Sequence, residues 1–202
     1  MIGPLLNGDG PGGVVVRRGG VLARWGDPGR VEMAFSATKS VRPSSRASPS
    51  TTDCCGWTNP IAAPWSTATT TRSRTSAASA FPWCPVAPTG AAGCGSARST
   101  WPVSARLCLS GGEWAGRRIV SRRWIEALWT PCAVKPEYGL TWWLNDGRVV
   151  WPQAPSTGRC ARGNGGNHLL WVDPARDLTL VSRWGADVEA LVAAVSEAVR
   201  PC

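Results

Sequence analysis

The chain has 202 residues and a formal net charge of +9, enough for one domain with its own core and too little for two full ones. Only Lys39 and Lys135 of the 22 basic residues are lysines and the arginines are scattered, so the charge reads as Arg-rich composition and not as the clustered patch of a nucleic-acid binder. No apolar run reaches the ~18 residues of a bilayer span, and "MIGPLLNGDGPGG" lacks the basic segment and apolar core of a signal peptide, so no membrane partner and a cytoplasmic location are expected.

In chain order, "GVVVRRGGVLARWG" places two apolar runs around "RRGG", which predicts a β-hairpin with Gly19 and Gly20 supplying the positive φ of its turn. "DPGR" at 27–30 is a further turn, and "FSATKS" opens a helix with Ser36 near its first turn. These form a first unit, 1–40.

Residues 41–104 differ in kind. They contain no Leu, Glu or Lys and one acid, Asp53, but 21 Ser and Thr and eight Pro, too little aliphatic material at any period to bury a core. Disorder or loose packing is the physical expectation. Four tryptophans and four cysteines fall in the same stretch, which a linker would seldom carry.

The third unit, 105–202, again reads as folded protein. "SGGEWAGRRIVSRRWIEALW" predicts a Gly-rich turn and then a helix capped by Ser121, with Trp124, Ile125 and Leu128 on one face. "YGLTWWLN" and "RVVW" read as strands, and "NHLLWVDPARDLTLVSRW" as a second hairpin around "DPARD". "DVEALVAAVSEAV" has apolar residues at 188, 191, 192, 195 and 199, the spacing of a helix. The fold class is therefore α+β, an antiparallel sheet covered by helices. Of the thirteen tryptophans, Trp124, Trp142, Trp143, Trp171 and Trp184 sit in amphipathic elements and are expected in the core.

The eight cysteines, 54, 55, 84, 94, 108, 132, 160 and 202, form no C-x-x-C, and His168 is the single histidine. A zinc site needs close ligand pairs, so free thiols are expected, with no metal and no cofactor.

The order of strand hairpin, "WGDP", "FSATKS", "SGGEWAGRRIVSRRWIEA", "YGLTWWLN" and "GNGGNHLLWVDPARDLTLVSRW" resembles the serine hydrolases related to class C β-lactamases, penicillin-binding proteins and their esterase cousins. The likeness covers about residues 10–40 and 105–200 and implies a β-lactamase/transpeptidase-like fold whose helical part would fall in 41–104. Taking the last base of each codon with the first two of the next, 82–95 and 99–105 can be reread as segments similar to those such hydrolases carry just before "GGEW". The middle of the chain then reads as translated out of frame, with a deletion.

The resemblance implies an acyl-enzyme mechanism on an ester or amide substrate. Ser36 is then the nucleophile and Lys39 its base: residues three apart on a helix share a face, a serine hydroxyl needs a neighbouring base, and a desolvated lysine can lose its own proton. Read without the resemblance, Ser36 is a helix cap and Lys39 a solvated charge. The family's second motif, Tyr-x-Asn or Ser-x-Asn, would fall within 41–104, which contains no tyrosine; the one tyrosine, Tyr138, reads as part of a scaffold strand. The third, Lys- or His-x-Gly on an edge strand, is matched by Gly163, Asn164 and Gly165, which lack the basic residue but leave room for substrate and for an oxyanion contact. A Gly-rich turn explains the same three residues. His168, flanked by Leu169, reads as structural. A catalytically dead, truncated relic or binding protein is the alternative to the enzyme, and a basic nucleic-acid-binding protein the weaker one.

Overall fold

A computed structural model of the protein describes residues 10–28, 32–33, 35–41, 95–96 and 100–199. The described residues begin with the expected hairpin, β1 (Gly12–Arg17) and β2 (Gly20–Trp25). The positive φ angles fall on Arg18 (50°) and Gly19 (80°), because Gly20 already pairs with Arg17 as the first residue of β2. Both loop residues are left-handed, as in a type I′ turn, and the Arg18 amide donates to Asp177 O at 2.9 Å.

Next come β3 (Glu32–Met33), a 3₁₀ turn at Phe35–Ala37, the four-residue helix α1 (Thr38–Val41), and β4 (Gly95–Ser96), which pairs with β3. The stretch expected to lack a core, 41–104, lies outside the described residues apart from Val41, β4 and the start of α2 (Thr100–Leu109). Arg106 of α2 pairs with Asp177 across the sheet end.

Gly111 and Gly112, with φ of 60° and 89°, lead from α2 into the small hairpin β5 (Glu113–Trp114) and β6 (Arg117–Arg118). A Cβ on Gly112 would lie 2.1 Å from Val120 O, so this close approach requires glycine. Helix α3 (Arg122–Leu128) follows as expected: Ser121 Oγ accepts from Trp124 N at 3.2 Å, and Trp124, Ile125 and Leu128 are buried.

The remaining elements are β7 (Trp143–Leu144), β8 (Arg159–Gly163), β9 (His168–Asp173), β10 (Leu178–Arg183) and α4 (Val188–Ala198). "RVVW" is not a strand. The loop holding it is organised by Asn145, fully buried, whose Nδ2 donates to the carbonyls of Trp151, Ala154 and Pro155 and whose Oδ1 accepts from Trp151 N. With those backbone groups satisfied by one side chain, the segment has no need of a neighbouring strand.

Among the described residues all strand pairs are antiparallel, and the main sheet runs β2-β1-β10-β9-β8-β7. The protein is thus α+β. Every residue of β9 and β10 is buried, because both faces of the sheet centre are covered. Leu170, Val172 and Val181 face Trp101, Ala105 and Cys108 of α2 and the buried residues of α3. Leu169, Trp171 and Leu180 face Val188 and Val192 of α4. Trp124, Trp142 and Trp171 are buried as expected, whereas Trp143 and Trp184 are only half-buried. Cys108, Cys132 and Cys160 are buried free thiols, and burial pushes the Cys108 pKa up to about 12; the other five cysteines lie outside the described residues. No described helix is long and apolar enough to cross a membrane.

Candidate active site

Ser36 sits in the middle of the Phe35–Ala37 turn, which packs against β8 and β9. Phe35 and Ala37 point into the core, at 6% and 1% exposure, and Ser36 between them is exposed. Lys39, also exposed, lies in α1, and its Nζ donates to Ser36 Oγ at 3.4 Å. Helical spacing therefore brings the two side chains together, at the long end of hydrogen-bond range.

The short helix is held from the other side. Trp142, fully buried, donates from Nε1 to Ser40 O at 2.9 Å, and Ser40 Oγ donates to Thr141 O; Thr141 Oγ1 has its shorter acceptor in Leu140 O and lies 3.4 Å from Lys39 O. The last carbonyls of a helix look outside it for partners, and Ser40 O finds one in Trp142, on the approach to β7.

Gly163 is the last residue of β8 and pairs with His168, the first of β9. Between them Asn164, Gly165 and Gly166 form a 3₁₀ turn with φ of 49°, 69° and 108°. Gly163, Asn164 and Gly165 are thus a strand end and a Gly-rich turn at once. The next strand, β7, reaches only Arg159 and Cys160 of β8, so beyond them the β8 backbone has no β7 partner and behaves locally as an edge. The Phe35 ring lies 5.1 Å from that of His168, so the Ser36 turn and the Gly163–Gly165 turn share one end of β8 and β9.

His168 is fully buried, its Nδ1 3.0 Å from Asn167 Oδ1, within reach of the Phe35, Trp101 and Trp184 rings. Burial, and secondarily the Arg183 guanidinium, lower its pKa to about 4, so it is neutral near pH 7. Tyr138 packs edge-on against Trp143 with ring centroids 5.1 Å apart, and its only ladder contact is an isolated bridge to that residue. Burial raises its phenol pKa, which opposes the phenolate a base would need.

An open cleft of about 590 Å³ lies on the opposite face, between α4 and the loop after Asn145, lined by Arg148, Gln153, Arg176 and Glu197. Arg176 is committed there to Asp173 Oδ2 at 3.0 Å and Val199 O at 2.8 Å. The Ser36 turn belongs to the other face, through Ala37.

Sequence reasoning singled out Ser36 and Lys39 through the resemblance of the segments flanking them, their spacing alone being a weak signal. It missed Phe35, Ser40 and Thr141, whose backbone and hydroxyl contacts have no sequence signature. Compared with sequence models of known protein families and with curated proteins, the chain matches none.

Proposed function

We propose that the protein is a serine hydrolase of the β-lactamase-related type, cleaving an ester or amide through an acyl-enzyme on Ser36. The observation that carries this reading is the exposed Ser36 hydroxyl with Lys39 Nζ 3.4 Å away, on a turn packed at the glycine-rich end of β8. Lys39 Nζ is the group placed to take the Ser36 proton as the oxygen attacks the carbonyl carbon. The carbonyl oxygen then carries the charge, and backbone N–H groups near Gly163–Gly165 are the candidate donors to it. Collapse of the adduct expels the alcohol or amine, which takes up the proton, and water hydrolyses the acyl-Ser36.

A second reading is a relic that keeps the nucleophile pair without its partner acid/base. The stretch 41–104, where the resemblance places the second motif, contains no tyrosine, which favours this reading, since a missing acid/base commonly costs a factor of ~10² to 10⁴ in rate. In the same reading, 41–104 is translated out of frame, with a deletion. Resequencing the gene tests that point: an intact open frame encoding the same middle would sink it.

A fluorophosphonate or penicillin probe on the purified protein separates enzyme from relic. Labelling that disappears in Ser36→Ala supports the hydrolase; absence of labelling on well-folded protein ends it.

A further inference from the structure

Phe35 has φ of 48°, in the left-handed region that glycine enters freely and a bulky side chain seldom does. Four of the eight non-glycine residues with positive φ among the described residues gather here: Phe35, Thr141, Asn164 and Trp184. Such conformations persist only where surrounding contacts over-determine them, and they concentrate at working sites. The contacts at Phe35 are specific. Its ring meets His168 edge-on at 5.1 Å and 69°, and Trp184 at 5.9 Å and 85°. His168 and Trp184 meet each other at 4.5 Å and 81°. All three pairs are edge-to-face, an arrangement that fixes ring orientation as well as filling space.

We infer that Phe35 is a positioning residue for Ser36: its ring, held edge-on by His168 and Trp184, locks the left-handed turn that presents the Ser36 hydroxyl beside Lys39. This rests on reading Ser36 as the nucleophile. Ala37 is buried on the other side of Ser36, and Ser40 is tied to Thr141 and Trp142, so the backbone is anchored before and after the hydroxyl. An aliphatic residue would fill the same space without the edge-to-face contacts. Glycine would adopt the same φ without holding it.

The test compares wild type, Phe35→Leu and Phe35→Gly, each checked for folding by circular dichroism and then titrated with a fluorophosphonate. The folded variants are expected to acylate Ser36 at least tenfold more slowly at saturating probe, with the half-saturating probe concentration unchanged. A folded Phe35→Leu that acylates at the wild-type rate overturns the inference, and so does Phe35→Gly, since a permissive backbone would then be sufficient. If wild type takes no label, the nucleophile reading fails by itself, and positioning is read from the Ser36 Hα–Hβ couplings by NMR. Those couplings are expected to report one rotamer in wild type and averaging in Phe35→Leu; identical couplings in both overturn the inference.

Discussion

At the scale of single residues, His168 makes the clearest physical statement. A histidine surrounded by the Phe35, Trp101 and Trp184 rings cannot hold a charge cheaply, and its pKa falls from 6.5 to about 4. The unfolded chain therefore takes up a proton at a higher pH than the folded one. The sign follows: stability is full above pH 6.5 and is lost as pH drops from there through about 4, by about 3 kcal/mol in all. Urea midpoints measured from pH 7 to pH 4 are expected to show that decline. His168→Phe, which keeps an aromatic ring and removes the titration, is expected to flatten it; an equal decline in the variant would assign the loss to carboxylates instead. The same residue explains a limit of sequence reading. "NHLLW" suggested a structural histidine, but nothing in those letters says that its ring abuts Phe35, more than a hundred positions earlier. Likewise the Ser36–Lys39 spacing was legible, whereas the left-handed backbone at Phe35, which a phenylalanine gives no reason to expect, was not.

At the scale of elements, legibility followed how local each cause was. The hairpin β1–β2, the hairpin β9–β10, and helices α3 and α4 each carry their turn or cap within a few residues: Gly19, the "DPARD" turn, Ser121 and Asp187. Strand β8 escaped because "RCARG" has small buried residues at Cys160 and Ala161 with an arginine on either side, and its place is set by the strands beside it. "RVVW" misled in the opposite direction, being β-prone by composition yet captured by Asn145. That capture is testable. Asn145→Ala leaves the carbonyls of Trp151, Ala154 and Pro155 without their donor and the Trp151 amide without its acceptor, in a buried setting. A loss of about 3 kcal/mol in urea unfolding is expected. Asn145→Asp keeps the acceptor but sets a buried carboxylate against the same three carbonyl oxygens, so it is expected to cost at least as much as Asn145→Ala, and wild-type stability in either variant would contradict the role given to this amide.

At the scale of the whole molecule, the question is what a net charge of +9 does. Arginines at several points on the surface are tied to acids: Arg118 to Glu113, Arg159 to Asp146, Arg162 to Glu189 and Arg176 to Asp173, besides Arg106 to Asp177. Several of these pairs are exposed and contribute little stability, but each places a carboxylate against a guanidinium that a phosphate would otherwise approach. A nucleic-acid surface concentrates unpaired positive charge instead, and its affinity falls steeply with salt as condensed counterions are released. With its positive charge dispersed and partly answered in place, the protein is expected to retain a duplex oligonucleotide weakly at about 20 mM salt and not at 150 mM, with a shallow salt dependence, as for non-specific attraction to a polyanion. Fluorescence anisotropy across that range checks it. A log–log slope corresponding to ~6 or more phosphates would show a concerted basic surface and favour nucleic-acid binding over hydrolysis as the work of this fold.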